Sequence, residues 1–397
     1  MKFIINTLGC RLNQAESDQI SHDLISIGFY ITNNIVDADI CIINTCGVTH
    51  KADRVSRQAV RQAMKMNNEC KIVLTGCSEI DLDEVDLHVK NKNRIQAEII
   101  KKFGKPDKKN VLQLYGNNRT RANIKIQQGC DNYCTYCIVP YLRGKPKSVA
   151  HEIIIKQIND RVSHGCKEVI LTGVNIGKYR CDKLDLCGLI KKILIDTKVK
   201  RIRLSSINPE DISDELIMLF KKYRLCNHLH LSLQSGSDPV LKRMGRKYDT
   251  KKYYDIVKNL KKIDKLFGLT TDIIVGFPGE TDKEFRKTCK FINMVGFHKI
   301  HIFRYSPRKG TRAYNYKGHV NEVIKKNRYK ILSLEAEKLK KIFKRKLINN
   351  IYPILFEKRN KEGSWPGYTP NYIRVKYSSN KDLTNVIKDV KINRVNI

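Results

Sequence analysis

Apolar and polar positions along the first hundred residues predict strands that alternate with helices. Apolar segments at 2–8, 38–44 and 71–75 have the length of buried strands. The segments between them, 14–27 and 51–66, carry apolar residues at helical spacing. Strands that alternate with helices favour a parallel sheet, and ligands of such sheets bind beyond the carboxyl ends of the strands.

The same alternation returns over residues 123–320. Strands are predicted at 123–127, 168–172, 201–205, 228–233, 269–275 and 299–305. Helical patterns lie between them, for example at 150–164 and 214–222. Six such units predict a partial or full parallel barrel, and the pattern leaves an open doubly wound sheet as the alternative.

The remaining segments differ in composition. Residues 101–122 are rich in Lys, Asn, Gly and Arg, which is typical of a linker. Residues 321–350 hold ten Lys or Arg against three Glu, and predict an amphipathic helix whose basic face either contacts RNA or is only solvated. Residues 351–397 have short strand patterns with Gly and Pro in the turns. They predict a small all-β module, so the fold class is α/β with an all-β C-terminal end.

The charge balance adds a partner class to this picture. The chain has 397 residues, of which 41% are apolar, enough for sizeable cores. Lys and Arg number 76 against 40 Asp and Glu, which gives a net charge of +36. Such an excess favours a polyanionic partner, either nucleic acid or an anionic membrane surface. A codon bias towards Lys, Asn and Ile is the other possible source of the excess.

Membrane-spanning and secreted proteins are excluded by the sequence pattern. No apolar run approaches the ~20 residues needed to span a bilayer. The first ten residues are too short and too polar for a signal peptide. The 13 cysteines are an odd number in a long chain, which argues against a disulfide framework. We therefore expect a cytoplasmic protein in a reducing compartment, with no membrane partner.

The spacing of Cys130, Cys134 and Cys137, C-x3-C-x2-C, is the strongest chemical signal. Three thiolates on one loop can hold three corners of a cubane iron–sulfur cluster and leave the fourth iron open. An open iron can chelate S-adenosylmethionine and pass an electron into it. The alternative is zinc, but structural zinc requires four closed ligands and the nearest candidate, Cys166, lies far along the chain.

A second set of cysteines is dispersed. Cys10, Cys46 and Cys77 each follow a predicted strand, so a parallel sheet would bring them together at one edge. Glycines at positions 9, 47 and 76 let the backbone turn close to a cluster. Taken singly, each is as well explained as a buried thiol. The other cysteines lack this placement and are interpreted as structural: Cys41, Cys70, Cys166, Cys181, Cys187, Cys226 and Cys289.

Several polar or glycine residues end strands of the predicted barrel. In a parallel barrel they fall on the carboxyl-end rim, where a cofactor would lie. Each one singly is also explained as a helix N-cap or an ordinary turn. The candidate cofactor contacts among them are Thr172, Gly173, Asn175, Ser205, Gln234 and Gly276.

Over nearly the whole chain, these residues resemble the radical S-adenosylmethionine methylthiotransferases. The cysteine triplet alone is shared by the whole radical superfamily, whereas its combination with three dispersed cysteines is specific to these enzymes. The supporting motifs are Gly9-Cys-Arg-Leu-Asn13, Asn44-Thr-Cys46, Thr75-Gly-Cys77, Ile138-Val-Pro-Tyr-Leu-Arg-Gly144, Leu171-Thr-Gly-Val-Asn175, Leu233-Gln-Ser-Gly-Ser237, Arg243-Met-Gly-Arg246 and Tyr305-Ser-Pro-Arg-Lys-Gly-Thr311.

The resemblance implies three domains and two [4Fe–4S] clusters. Residues 1–105 would form the N-terminal domain, with Cys10, Cys46 and Cys77 on an auxiliary cluster that carries sulfur. Residues 116–345 would form the radical core, with the triplet on the radical-generating cluster and Arg308 among the S-adenosylmethionine contacts. Residues 346–397 would be a short TRAM-like RNA-binding domain. The implied partners are the tRNA anticodon arm, an electron donor such as a flavodoxin or ferredoxin, and a sulfur donor.

Within the family, the N-terminal motif is most similar to the branch that acts on N6-threonylcarbamoyladenosine in tRNA. The alternatives are methylthiolation of isopentenyladenosine in tRNA or of a ribosomal-protein aspartate. A rival of another class is a non-catalytic iron–sulfur RNA-binding protein.

The C-terminal pattern carries a specific RNA-binding hypothesis. Tyr372, Arg374 and Lys376 alternate, so a strand would present them on one face for base stacking and phosphate neutralisation. The alternative is that Tyr372 packs inward.

Overall fold

The computed structural model describes residues 1–48, 50–78, 80, 82–106, 120–222 and 224–397. The chain divides into two compact units. The first contains Met1–Asn118 together with Tyr141–Gly144, and the second contains Arg119–Pro140 and Lys145–Ile397. The C-terminal module therefore belongs to the same compact unit as the barrel.

The first unit contains a five-stranded parallel sheet with the order β2-β1-β3-β4-β5. Its strands are β1 (Lys2–Thr7), β2 (Tyr30–Ile31), β3 (Ile40–Thr45), β4 (Lys71–Gly76) and β5 (Leu87–Val89). Its helices are α1 (Arg11–Ser26), α2 (His50–Met66) and α3 (Ile95–Phe103). The predicted parallel α/β sheet is confirmed.

The central strand β3 shows why the sheet is covered on both faces. Ile40 and Ile42 pack in the cluster that holds α1 residues, whereas Cys41 and Ile43 pack in the cluster that holds α2 residues. Successive side chains of a strand point to opposite faces, so a run without polar residues requires helices on both. The predicted linker begins too early, because residues 101–103 complete α3. Residues 107–119 of that prediction lie outside the described residues.

The second unit begins with a series of parallel strands. They form two sheets, β12-β9-β6 and β13-β14-β15-β16, and β12 and β13 are separated only by Ser205. The strands of these two sheets are β6 (Arg121–Lys125), β9 (Glu168–Thr172), β12 (Arg201–Leu204), β13 (Ser206–Ile207), β14 (His228–Leu231), β15 (Gly268–Val275) and β16 (Lys299–Arg304). Two short antiparallel pairs accompany them, β7 (Gln127–Gln128) with β8 (Lys147–Ser148) and β10 (Arg180–Cys181) with β11 (Leu184–Asp185).

Helices between these strands enclose one large apolar core. They are α5 (His151–Ser163), α6 (Leu186–Asp196), α7 (Asp214–Leu219), α8 (Asp238–Arg243), α9 (Thr250–Ile263), α10 (Asp282–Val295) and α11 (Glu322–Leu347), the last of which follows β16. The short helix α4 (Val139–Arg143) is not part of this core, and its residues 141–143 are grouped with the first unit. The parallel pairing confirms the predicted partial barrel.

The C-terminal module is a four-stranded antiparallel sheet with the order β19-β18-β17-β20. Its strands are β17 (Ile351–Phe356), β18 (Trp365–Tyr368), β19 (Arg374–Tyr377) and β20 (Ile387–Lys391). Its core is shared with the end of α11, where Phe343 and Leu347 pack against it. The predicted all-β module is confirmed, and Pro366 and Gly367, which the sequence pattern assigns to turns, lie within strand β18.

A buried cluster of charges joins the module to the barrel. Glu168 on β9 is fully buried and accepts hydrogen bonds from Arg203 Nε at 2.8 Å and Nη2 at 3.2 Å. Arg203 also donates to the carbonyls of Thr369 and Pro370, and Arg201 donates to that of Tyr368. Burial alone would raise the pKa of Glu168, but the Arg203 guanidinium holds that pKa below its usual range.

Tyr372 belongs to this junction, so the prediction that a strand presents it on one face with Arg374 and Lys376 is wrong. The residue has φ 68° and precedes β19 rather than lying in it. Its ring lies 4.4 Å from the Arg203 guanidinium and 4.8 Å from the His228 ring. Only Arg374 and Lys376 of the predicted face remain exposed. Cation–π packing against the barrel therefore accounts for Tyr372.

We expect Glu168→Gln to destabilise the second unit strongly. The change leaves buried guanidinium charge without its carboxylate, which costs about 3–5 kcal/mol for a buried pair. Urea unfolding can be followed through Trp365, the only tryptophan of the sequence, which lies in the core of the C-terminal module. The control is Glu215→Gln, which removes the half-exposed partner of Lys191 and should cost far less, because water screens an exposed ion pair. Equal effects would contradict the account.

Candidate active site

Three cysteines converge at the carboxyl edge of the sheet in the first unit. Cys10 precedes α1, Cys46 follows β3 and Cys77 follows β4. Burial raises the pKa of the Cys46 thiol, and the neighbouring Cys77 and Cys10 raise it further. The structure thus brings the dispersed set together, as the strand-end positions predict.

Glycines make this convergence sterically possible. A Cβ at Gly47 would lie 2.3 Å from the carbonyl oxygen of Cys77. A Cβ at Gly9 would lie 2.7 Å from Cys46 Cβ and 3.1 Å from its Sγ, and Gly9 has φ +98°. These contacts are too short for any side chain, so glycine is required at both positions.

Polar side chains fix the loops that carry these cysteines. Asn13 Nδ2 donates to the carbonyls of Leu8 and Thr45, both at 2.8 Å, which ties the end of β1 to the end of β3. Arg143 donates from Nε to Cys77 Sγ at 3.0 Å and from Nη2 to Asn13 Oδ1 at 2.6 Å. Its Nη1 donates to Glu16 Oε1 at 2.9 Å. One buried network therefore supports the cysteine site.

The second cysteine set lies between β7 and α4 in the second unit. Cys137 N–H donates to the carbonyl of Cys134 at 3.0 Å, and Asn132 N–H lies 3.5 Å from Cys130 Sγ. Thr135 anchors the loop, since its N–H donates to the carbonyl of Met244. Burial raises the pKa of Cys137 to about 12. A thiol held so firmly in its neutral form becomes a thiolate when it coordinates a metal.

Each cysteine set offers three thiolates, a donor set that suits a polynuclear cluster. Among the described residues, neither set has its three sulfur atoms within 4.8 Å of one another. Tetrahedral zinc with bonds of about 2.3 Å would hold its sulfurs about 3.8 Å apart. The three-thiolate donor set and the wider spacing suit a [4Fe–4S] cluster with one open iron.

Polar atoms without partners mark the rim of the barrel. Both side-chain atoms of Asn175 are buried without a hydrogen-bond partner, and so are Ser205 Oγ and Glu210 Oε2. The backbone of Asn175 is fixed, because its N–H donates to Gln127 Oε1 at 2.9 Å. Buried polar groups normally have partners. These atoms therefore fit a polar cofactor such as S-adenosylmethionine.

The other predicted cofactor contacts have different surroundings. A Cβ at Gly173 would lie 2.8 Å from the carbonyl of Gln127, and one at Gly276 would lie 2.3 Å from Lys325 Cγ, so packing explains both glycines. Gln234 has φ 66° and bridges to β15 through its backbone. Thr172 ends β9, and Arg308 lies in the segment after β16.

Sequence reasoning missed several supporting residues. Arg246 donates from Nη1 to Cys134 Sγ at 3.1 Å, and Arg143 makes the equivalent contact to Cys77. Asn132 Nδ2 donates to Glu210 at 3.1 Å. Both arginines belong to motifs of the family resemblance, Ile138–Gly144 and Arg243–Arg246, but a sequence motif does not show which atom its arginine contacts.

Comparisons with known proteins decide the family. The Radical SAM superfamily model matches residues 124–292, and that of uncharacterized protein family UPF0004 matches residues 2–95. The chain is 37% identical to threonylcarbamoyladenosine tRNA methylthiotransferase MtaB of Thermotoga maritima, over 95% of this chain and 91% of that protein. The chain belongs to the radical SAM methylthiotransferase family.

A second relative and one solved structure complete the comparison. The tRNA-2-methylthio-N(6)-dimethylallyladenosine synthase of Thermodesulfovibrio yellowstonii is 35% identical, over 92% of this methylthiotransferase and 90% of the relative. The radical S-adenosylmethionine methyltransferase TsrM from Kitasatospora setae, solved with cobalamin and a [4Fe–4S] cluster, has a TM-score of 0.60 at 11% identity. It covers 79% of this chain and 76% of its own. That likeness concerns the fold. No helix in the described residues has the length and apolar character required to traverse a membrane.

We expect the methylthiotransferase to bind about eight irons after anaerobic reconstitution, because two sets of three cysteines suit two cubane clusters. Replacing Cys130, Cys134 and Cys137 together by Ala should leave about four irons. Iron and acid-labile sulfide analysis measures this. A triple variant that keeps the full load would contradict the ligand assignment.

The need for glycine beside Cys77 can be tested with Gly47→Ala, and Gly188→Ala is the matched control. The first places a Cβ against the Cys77 backbone, whereas the second meets the flexible end of Leu184 at 3.0 Å. We expect only the first to lose the auxiliary irons.

Proposed function

We propose that this enzyme converts N6-threonylcarbamoyladenosine beside the tRNA anticodon to its 2-methylthio derivative. The observation that carries the proposal is the second three-cysteine site in the first unit, built on glycines and Asn13. A radical enzyme that only abstracts hydrogen needs one cluster with an open iron, whereas inserting sulfur needs a second site to hold it. The named relative from Thermotoga maritima supports the threonylcarbamoyl branch.

The cofactors supply the difficult chemistry. When bound, a [4Fe–4S] cluster with one open iron together with S-adenosylmethionine would supply the radical chemistry that activation of an adenine C–H bond requires. In this proposal Cys130, Cys134 and Cys137 hold that cluster in a loop fixed by Thr135. Asn175, Ser205 and Glu210 would donate to or accept from the polar groups of S-adenosylmethionine. Burial of these groups excludes water that would otherwise quench reactive species.

The other predicted contacts remain part of this proposal. Thr172, Gln234 and Arg308 would line the S-adenosylmethionine site, and Gly173 and Gly276 would shape its walls. Cys10, Cys46 and Cys77 would hold the auxiliary cluster. An electron donor such as a flavodoxin or ferredoxin, a sulfur donor and a cytoplasmic location complete the proposal, consistent with thirteen free cysteines.

A basic groove at the end of α11 is our candidate for the tRNA backbone. The groove has a volume of about 720 Å³ and is lined by four cations, Lys341, Lys344, Arg345 and Arg394. Burial and the charge of Lys340 lower the pKa of Lys344. None of the four cations forms an ion pair with a described carboxylate. Unpaired cations in a concave surface favour phosphate, and this replaces the stacking role predicted for Tyr372.

We expect the two cysteine sets to have separable functions. Replacing Cys10, Cys46 and Cys77 together by Ala should preserve cleavage of S-adenosylmethionine to 5′-deoxyadenosine, because the radical triplet lies in the other unit. The same variant should not methylthiolate tRNA that contains N6-threonylcarbamoyladenosine. Liquid chromatography with mass detection measures both products, and circular dichroism verifies folding. Loss of both activities in a folded variant would contradict the assignment.

We expect Gln substitution of Lys341, Lys344, Arg345 and Arg394 together to weaken tRNA binding. If all four neutralise phosphates, the slope of log affinity against log salt should fall by about three. The control replaces four exposed lysines of α9 and α10 by Gln: Lys251, Lys252, Lys283 and Lys287. An equal loss in both variants would show a non-specific charge effect. Truncation is a poorer test, because the C-terminal module packs on Arg201 and Arg203.

A further inference from the structure

Each of the two cysteine sites contains one arginine that donates to a cysteine sulfur. In the first unit, Arg143 Nε lies 3.0 Å from Cys77 Sγ. In the second unit, Arg246 Nη1 lies 3.1 Å from Cys134 Sγ. The two sites share no strand or helix that carries their cysteines, yet each has the same type of contact to one of its three sulfurs.

Both guanidinium groups are held in place by other side chains. Arg143, with a side chain only 11% exposed, also binds Asn13 and Glu16. Arg246 donates from Nη2 to Asn208 Oδ1 at 2.7 Å and from Nε to the Tyr248 hydroxyl at 3.1 Å. A planar guanidinium anchored at two other points presents a donor to the sulfur in a fixed direction.

The neighbours of Arg143 keep the site electropositive. Glu16 accepts from Arg143, but it also pairs with Lys92, whose side chain is 13% exposed. Two buried cations therefore face one carboxylate beside Cys77. The carboxylate orients the arginine without cancelling the positive charge that the thiolates experience.

We propose that Arg143 and Arg246 are positioning residues, each of which orients one cysteine thiolate and raises the reduction potential of the cluster bound beside it. This inference rests on the proposed function for the presence of the clusters. A reduced cluster carries one more negative charge than the oxidised cluster. A cation and a hydrogen bond at a ligand sulfur stabilise that extra charge, and both are known determinants of cluster potential.

The arrangement has a consequence for the reaction. Electron delivery to S-adenosylmethionine requires the radical cluster to be reducible by the cell's donors, and Arg246 favours that reduction. Arg143 favours electron uptake at the sulfur-bearing cluster. The two potentials are therefore set by different side chains and can be changed one at a time.

The test is a redox titration of the reconstituted full chain, followed by electron paramagnetic resonance. Arg143→Leu should shift the auxiliary cluster to a more negative potential and leave the radical cluster unchanged. Arg246→Leu should do the reverse, so each variant is the control for the other. Each potential is assigned from the triple Cys→Ala variants, which retain one cluster.

If a leucine variant fails to bind the cluster at its site, the corresponding lysine variant provides a second test. Arg143→Lys and Arg246→Lys keep the charge but lose the fork that reaches sulfur and anchors together. We expect a smaller negative shift at the matching cluster. Selective loss of about four irons from the matching site in a leucine variant would also support positioning.

Unchanged potentials, or equal shifts of both clusters in every variant, would overturn the inference. Wild-type methylthiolation is measured in parallel. If the variants shift the potentials as expected but the wild-type chain makes no methylthio product, only the proposed function is contradicted. An active wild type with unmoved potentials in the variants would contradict only the roles of the arginines.

Discussion

The dispersed cysteine site depends on the close approach of three backbone segments at one edge of the first sheet. Parallel strands β1, β3 and β4 deliver Cys10, Cys46 and Cys77 to the same side because all three run in one direction. Direction alone is not sufficient, since the segments must also come within contact distance. Gly9 and Gly47 permit this, and the side-chain amide of Asn13 ties the end of β1 to the end of β3. The chemistry proposed for the auxiliary site follows from this local geometry.

Strand-end residues were predictable because they depend on short-range pattern. The apolar runs located β3, β4 and β9, and their carboxyl ends then located Cys46, Cys77 and Asn175. Periodicity and chain direction carry that information without knowledge of any long-range contact. The cysteine triplet was equally accessible, since its three residues lie within one short loop.

Contacts between distant segments were not predictable. Arg143 follows the radical triplet in sequence but is grouped with the first unit, where it binds Cys77. Tyr372 has strand-like neighbours, yet its positive φ and its packing on Arg203 and His228 remove it from the strand. The net charge likewise did not show which cations are available to a polyanionic partner. Arg201 and Arg203 contribute to the +36 but are buried at the base of the module, whereas Lys341 and Arg345 face a groove.

The central claim is that this chain adds a methylthio group to threonylcarbamoyladenosine in tRNA. The most direct measurement is mass spectrometry of tRNA nucleosides from cells with and without this gene. The account predicts that 2-methylthio-N6-threonylcarbamoyladenosine disappears without the gene while the unmodified threonylcarbamoyl nucleoside accumulates. An unchanged level of 2-methylthio-N6-threonylcarbamoyladenosine, together with loss of the methylthio derivative of isopentenyladenosine, would contradict this claim.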